Sequence, residues 1–244
     1  MKLDPKHHLI TGYPKAGNTW LHVMISYILN PQEMKIGHAR MPDTKIFTHC
    51  IPRFNQVKDN NMKIKVPGLL RDKKVILLVR HPGDILVSLY MHNRYREKTI
   101  LYNGTINEMV IDPIYGLHKI LKYYQWWIDN IHEPQTCYII RYESLLANTY
   151  MTLAKALDYT DIDTDNQLIK QAIQFSTFKR MQHMERTNYL GWPSLHMPHT
   201  IRIEGRKVRK GTINQYKTVF NSETVNYIKT HVKSLMPSIY GYSL

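Results

Sequence analysis

The chain has 244 residues, of which 43% are hydrophobic and 21% are charged, and these values exclude a disordered chain and allow a sizeable core. Its formal net charge of +14 favours an anionic partner, whether nucleic acid, an acidic membrane face, a polyanionic glycan or a phosphorylated small molecule. A basic surface without any such partner would have the same composition. Two cysteines, Cys50 and Cys137, are too few for a disulfide framework or a cysteine-rich zinc site.

The sequence contains no internal repeat, no Gly/Ser-rich linker, no run long enough to span a membrane and no signal-peptide core. We therefore expect one domain over residues 1–244, in a reducing, cytoplasmic compartment and without a membrane span. A catalytic domain cut from a membrane-anchored parent would have the same features.

The first predicted element is a strand, HHLITGY, followed by the glycine loop TGYPKAGNTW and a helix with apolar residues at helical spacing from position 20 to 28. Asn30-Pro31 is expected to end this helix. From Gly12 the loop nearly matches the phosphate-binding pattern G-x-x-x-x-G-K-[ST], but Asn18 takes the lysine position and the lysine is Lys15.

A glycine loop between a strand and a helix directs several backbone N–H groups at one small volume. The positive end of the helix dipole adds to this, so the loop suits a phosphate or a sulfate group. Spacing alone does not separate this interpretation from a structural glycine turn.

Three further segments are predicted to be strands that end in polar turns: TKIFTHC, KKVILLVRHPGD and QTCYIIRYESLL. Asp84 is the predicted N-cap of the helix that follows the second of them. Helices are also predicted over 113–132, over 165–182 with a break at Ser-Thr-Phe, and over 222–236 with Ser222 as the cap. The alternation predicts an α/β fold with a central parallel sheet flanked by helices and a P-loop-like strand-loop-helix.

The strand VILLV ends at Arg80, where an enzyme that hydrolyses a nucleoside triphosphate needs an aspartate for magnesium. This cation weighs against metal–triphosphate chemistry and favours direct binding of a second anionic group. Two alternatives stay open: a small-molecule or nucleoside kinase with a degenerate phosphate loop, and a basic nucleic-acid-binding protein without catalysis.

Taken together, these segments resemble the soluble sulfotransferases that use 3′-phosphoadenosine 5′-phosphosulfate (PAPS). YPKAGNTW resembles the family's 5′-phosphosulfate loop, RHPGDILVSLY its 3′-phosphate element and VRKGTINQYK its C-terminal arginine-lysine-glycine motif. FTH and RYESLL match the family's catalytic-histidine and cofactor-side tyrosine positions, so that the resemblance runs from about residue 10 to about residue 225.

The resemblance implies PAPS as the sulfonate donor, PAP as the product, and no metal. It implies sulfonate transfer to a hydroxyl or amine of a small-molecule, glycan or peptide acceptor, and no nucleic-acid partner. His49 is implied as the general base and Lys15 as the cation beside the bridging oxygen. The implied cofactor-binding residues are Lys15, Ala16, Gly17, Asn18, Thr19, Trp20, Arg80, Ser88, Tyr142, Ser176, Phe178, Arg209, Lys210 and Gly211.

The sequence departs from the family pattern at a few positions. Asn18 replaces the usual threonine of the loop, and Phe47 stands where many soluble members have a lysine. In the family's dimerisation stretch, Asn221-Ser222 and Asn226 replace a threonine-valine pair and a glutamate. We therefore do not expect the usual homodimer.

Overall fold

The computed structural model describes residues 8–37, 70, 73–96, 101–132, 134, 136–193, 195–197 and 202–242. Within them the strands are β1 (His8–Gly12), β2 (Lys74–Val79) and β3 (Thr136–Arg141). The helices are α1 (Asn18–Leu29), α2 (Pro31–Ile36), α3 (Pro82–Tyr95), α4 (Leu117–Asp129), α5 (Tyr142–Ala147), α6 (Thr149–Tyr159), α7 (Asn166–Phe175), α8 (Phe178–Thr187), α9 (Tyr216–Val219) and α10 (Ser222–Leu235). Short 3₁₀ turns cover Glu108–Ile111, Ile203–Gly205 and Ser238–Tyr240.

The described strands form a parallel sheet in the order β1-β2-β3, which confirms the predicted α/β fold. Gly12 pairs with Leu78, and Leu78 pairs with Ile140, so all three strands end at the same edge. β2 is central and its residues 75–79 are fully buried, which explains its unbroken apolar run. Loops that leave this edge carry the polar side chains of the candidate site.

Helices cover the sheet and contribute most of the core. α1 packs against α7, and α3 packs against α4 and α9. Large aromatic side chains fill the space under the site: Tyr13, Tyr123, Tyr124, Trp127 and Tyr240 are almost completely buried. Tyr13 and Tyr123 meet edge to face at 5.2 Å between centroids. Because Tyr13 belongs to the loop that follows β1, this packing anchors the loop to the core.

Two predicted helix caps are wrong, and each error has a physical reason. α3 begins at Pro82, where a missing N–H costs nothing, and the Nδ1 atom of His81 accepts the N–H of Gly83 as the cap. Asp84 therefore lies inside the first turn. α10 is capped by Asn221, which accepts the N–H of Thr224, rather than by Ser222.

Other predicted boundaries are confirmed. The first helical run ends at Asn30-Pro31, and α7 gives way to α8 at Ser176-Thr177. The predicted strand TKIFTHC, with Phe47 and His49, lies outside the described residues. No helix within the described ranges is both long and apolar enough to cross a bilayer.

Candidate functional site

The loop between β1 and α1 is a tight turn held close to the neighbouring strand. A Cβ atom on Gly12 would lie 2.4 Å from the carbonyl oxygen of Leu78, so only glycine fits there. Lys15 and Gly17 both have positive φ angles, 75° and 114°. A left-handed lysine is uncommon and indicates a loop whose shape its surroundings impose. Among the described residues no side chain caps the N-terminus of α1, and the Trp20 N–H bonds the Gly17 carbonyl at 3.0 Å. The first two N–H groups of the helix, those of Asn18 and Thr19, are therefore the ones suited to a ligand.

The Tyr142 ring, immediately after β3, contacts both the glycine loop and Arg80 at the end of β2. A Cβ atom on Gly17 would lie 2.7 Å from this ring, and the Arg80 guanidinium lies 4.3 Å from its centroid. Trp20 meets the same ring edge to face at 6.1 Å and donates its indole N–H to the Ser176 carbonyl at 3.0 Å. The structure thus brings together predicted site residues from the start of α5, from α1 and from the end of α7.

Arg80, immediately after β2, connects two loops of the site. Its Nη1 atom donates to the carbonyl of Lys15 at 3.3 Å, and its Nη2 atom donates to the carbonyl of Thr212 at 3.1 Å. The buried Nε atom has no hydrogen-bond acceptor among the described residues. The guanidinium therefore holds the glycine loop against the C-terminal motif and keeps one donor for a further group.

Asp84 anchors the C-terminal motif from the other side. Its carboxylate accepts the N–H groups of Asn214 at 2.8 Å and Tyr216 at 3.2 Å, and lies 3.9 Å from the Arg80 guanidinium. Burial raises the pKa of Asp84, and the charge of Arg80 and the two N–H donors oppose that rise. Asp84 is a structural anchor of the site and not the helix cap that its sequence position predicts.

The C-terminal motif contributes a second arginine and an exposed backbone. Arg209 donates to the Oε1 atom of Gln215 at 2.6 Å. Burial lowers the pKa of Arg209, and the nearby charge of Arg80 lowers it further, so the two cations share one cleft. Gly211 has a φ of 63°, and a Cβ atom there would lie 2.7 Å from the half-exposed ring of Phe178. A larger residue at 211 would displace that ring.

Asn18 has its side-chain amide beneath the glycine loop. Its Nδ2 atom donates to the carbonyls of Gly12 at 3.1 Å and Tyr13 at 3.4 Å, beneath the loop. The side chain therefore supports the turn. Of the other predicted residues, Ala16 and Thr19 are buried, Ser88 is half-buried in α3 and Lys210 is exposed.

The ammonium of Lys15 lies in a basic environment. Burial lowers the pKa of Lys15 well below its usual value, and the charges of Lys207, Arg96 and Arg80 lower it further, whereas Glu185 raises it. An anionic ligand beside the Lys15 ammonium would raise the pKa of Lys15 again, against both burial and the neighbouring cations.

Sequence reasoning missed Tyr124, Arg96, Glu185 and Lys207. The Tyr124 hydroxyl accepts the N–H of Arg80 and donates to its carbonyl, both at 3.0 Å. In the sequence this tyrosine is one of several aromatic residues of a helical pattern, and nothing local marks its partner 44 positions away. Within the described ranges, no three His, Cys, Asp or Glu side chains converge as metal ligands would.

The family model for the sulfotransferase domain matches residues 5–239. The chain belongs to the sulfotransferase domain family. Curated sulfotransferases align with it over most of their length. Sulfotransferase 1A1 of Mus musculus is 24% identical over 95% of this chain and 85% of its own. Flavonol 3-sulfotransferase of Flaveria bidentis is 22% identical over 93% of this chain and 80% of its own.

Solved structures share the sulfotransferase fold. A mouse sulfotransferase in complex with PAP superposes with a TM-score of 0.69 at 16% identity, over 99% of this chain and 88% of that one. Retinol dehydratase in complex with androsterone and PAP gives a TM-score of 0.66 at 17% identity, over 96% and 81% of the two chains. These likenesses identify the fold of this sulfotransferase domain.

Proposed function

We propose that this sulfotransferase domain transfers the sulfonate group of PAPS to a hydroxyl or amine of an acceptor. Its family membership supports sulfonate transfer with PAPS as the donor. The observation that carries the proposal for the site is the cleft in which Arg80 bonds both the Lys15 loop and Thr212, with Arg209 beside it. Three segments far apart in sequence there present cations to one volume at the carboxyl edge of the sheet.

The residues present fit a ligand with two anionic groups. At one end of the cleft, the uncapped N-terminus of α1 and the loop N–H groups suit a phosphosulfate. At the other end, the Nε of Arg80, which has no acceptor among the described residues, suits a phosphate together with Arg209 and the half-buried backbone of Gly211. The single Asp84 carboxylate accepts two backbone N–H groups and offsets only part of the positive charge of Arg80 and Arg209.

The proposed binding roles follow this division. Residues 15–20 hold the 5′-phosphosulfate. Arg80, Ser88, Arg209, Lys210 and Gly211 hold the 3′-phosphate. Tyr142, Ser176 and Phe178 contact the adenosine, with Phe178 as the stacking ring because it is 39% exposed beside Gly211. The Ser176 hydroxyl donates to the Ile173 carbonyl at 3.3 Å, and the Ser176 carbonyl also orients Trp20 by accepting its indole N–H.

The reaction needs two things from the protein: stabilisation of the leaving group and removal of the acceptor's proton. PAPS supplies an activated sulfonate whose bond to the 5′-phosphate breaks as an acceptor oxygen or nitrogen bonds to sulfur. Lys15 stabilises the negative charge that grows on the departing phosphate oxygen. His49, which lies outside the described residues, accepts the acceptor's proton, a task for which the pKa of imidazole is suited. The acceptor itself is a small molecule, a glycan or a peptide.

A kinase interpretation needs a carboxylate beside the glycine loop to hold magnesium. Asp84 is the acidic side chain nearest to Arg80 along α3, but its oxygens accept two backbone N–H groups and face a guanidinium. Because the Asp84 oxygens are already bonded in this way, Asp84 is not suited to hold magnesium. Family membership also argues against a kinase.

The proposal is tested by release of PAP from PAPS in the presence of a panel of phenols, hydroxylated carboxylates and amines. We expect His49→Ala to lower kcat by about 100-fold or more while PAP affinity stays within about twofold, since a general base acts in the transition state. Lys15→Met should lower kcat by a similar factor. Unchanged turnover in His49→Ala would remove this residue from the role of base. Absence of turnover by the parent protein with every acceptor, together with no PAP binding, would contradict the proposed function.

A further inference from the structure

Two helices that pack against each other bring one tyrosine and two histidines together at the surface. α10 packs against α4. Tyr227 and His231 lie one turn apart on α10, so their side chains share one face of that helix, and His118 lies in the first turn of α4. We call these three residues the His118 cluster. None of them belongs to the cationic cleft described above.

The three rings of the His118 cluster contact one another. The Tyr227 and His231 rings stack with their centroids 3.8 Å apart, and the His118 and His231 rings meet edge to face at 5.3 Å. The Nε2 atom of His118 lies 3.2 Å from the hydroxyl oxygen of Tyr227. His118 is exposed, whereas Tyr227 and His231 are half-buried, so an ion from solvent can reach the cluster.

Hydrogen bonding leaves one nitrogen of His231 suited to a metal. Its Nδ1 atom lies 2.8 Å from the backbone carbonyl oxygen of Tyr227, and a carbonyl oxygen can only accept a hydrogen bond. In the neutral ring Nδ1 therefore carries the proton, and Nε2 carries the lone pair. A backbone carbonyl that binds the other ring nitrogen in this way is a common support of metal-binding histidines, because it fixes the tautomer and the orientation of the ring.

The separations within the cluster match the edges of a tetrahedral zinc site. Zinc binds imidazole nitrogen and side-chain oxygen at about 2.0–2.2 Å, so two ligand atoms on one tetrahedral ion lie about 3.3 Å apart. The Nε2 atom of His118 and the hydroxyl oxygen of Tyr227 are 3.2 Å apart. Two imidazoles on one such ion have ring centres about 5 Å apart. The centroids of His118 and His231 are 5.3 Å apart.

We propose that His118, Tyr227 and His231 bind a zinc ion that clamps α4 to α10. The ligands are the Nε2 atom of each histidine and the hydroxyl oxygen of Tyr227, and water completes the tetrahedron. The hydroxyl group gives up its hydrogen bond to His118 when the ion binds. This site goes beyond the proposed sulfonate transfer and does not depend on it.

Zinc at this site should stabilise the folded protein. His118 and Tyr227 are 109 positions apart in the sequence, so the ligands meet only in the folded chain. A ligand that binds the folded state alone shifts the equilibrium away from the unfolded state. We therefore expect zinc chloride to raise the urea concentration at the unfolding midpoint of the parent protein, and to leave that of His118→Asn unchanged.

Calorimetric titration of the chelator-treated protein with zinc chloride measures the site directly. We expect a dissociation constant of about 1–50 µM, since water supplies one ligand and Lys122, one turn after His118 on α4, adds a positive charge. His118→Asn and His231→Asn should each weaken zinc binding by about 10-fold or more. Tyr227→Phe keeps the stacked ring but removes the oxygen ligand, and should weaken it by about 3- to 10-fold.

His183→Asn removes an exposed histidine from α8 and is the matched control, in which zinc binding should stay unchanged. The metal-free urea midpoint of each variant shows whether it folds, and Tyr227→Phe decides the matter if either His118→Asn or His231→Asn does not. Equally tight zinc binding by the parent and by the cluster variants would overturn the inference, because the ion would then lie elsewhere. No zinc binding by the folded parent would overturn it as well. Failure to bind PAP would count against the proposed function and not against this site.

Discussion

At the end of β2, one tyrosine hydroxyl satisfies both backbone polar groups of Arg80. The Tyr124 hydroxyl is buried, and burial raises its pKa well above the usual value, so it stays protonated and donates one bond while accepting another. This pairing fixes the backbone from which the Arg80 guanidinium reaches the two loops of the site.

Tyr124→Phe should therefore destabilise the protein by about 1–3 kcal/mol, since it leaves a buried N–H and a buried C=O unpaired. The free energy of unfolding from urea titration measures this loss. Tyr150→Phe removes a more exposed hydroxyl, which donates to Asn166 at 2.7 Å, and is the control, with an expected cost below about 0.5 kcal/mol. Equal costs in the two variants would contradict the role of Tyr124.

At the glycine loop, the Asn18 side chain either stabilises the turn or binds the ligand, and the two roles predict different effects of its removal. Because its amide donates to carbonyls beneath the turn, Asn18→Ala should cost about 1 kcal/mol in stability but change PAP affinity by less than about threefold. Urea unfolding and a PAP titration of the same variant measure the two quantities. A loss of PAP affinity of 10-fold or more (about 1.4 kcal/mol) at unchanged stability would instead assign the side chain to the ligand.

Among the elements, α3 carries the most site geometry, and its start depends on a histidine cap. The Nδ1 atom of His81 can accept the Gly83 N–H only while it is unprotonated, and the ring stacks on Tyr216 at 4.4 Å. Burial, together with the charges of Lys217, Arg80 and Arg141, lowers the pKa of His81 from 6.5 to about 4.

Protonation of His81 in the unfolded chain then opposes folding below pH 6.5. Its contribution to stability is fully present above pH 6.5 and is lost as the pH falls towards 4, because the unfolded state binds the extra proton. His81→Asn retains a cap acceptor without the titration, so its stability should change less over that window, by about 1 kcal/mol or more. Urea unfolding at pH 6.5 and at pH 4.5 checks this, and identical pH slopes in the two proteins would refute it.

The elements also indicate how far sequence reasoning reaches. β2 was predictable because a buried parallel strand is a continuous apolar run, and α7 because its break at Ser176-Thr177 is local. β3 also forms where an apolar run predicted a strand, but Ile140 is its one buried residue. Asp84 was misassigned because its true partners, Asn214 and Tyr216, are 130 and 132 positions away. The Arg96–Glu185 pair, 89 positions apart, has no local signal either. The spacing of its glycines marked the loop as a candidate anion site, and resemblance supplied the cofactor roles of the motifs, whereas the bonds that tie these segments together required the fold.

At the scale of the whole molecule, the fold assembles a cationic cleft from segments that are distant in the chain. Arg80, the Lys15 loop and residues 209–212 meet at one sheet edge. A single domain over the whole chain, loss of the usual homodimer and a cytoplasmic location stay predictions from the sequence.

Calorimetric titration with PAP against ATP·Mg tests the central claim most directly, because the two nucleotides differ in the groups that the cleft is built to hold. We expect PAP to bind at least about 100-fold more tightly, and Arg209→Ala to weaken PAP by about 10–100-fold through loss of a charge-assisted contact. Arg186→Ala, which removes an exposed arginine from the last turn of α8, should leave PAP binding unchanged. Tighter binding of ATP·Mg than of PAP, with no effect of Arg209→Ala, would contradict the account.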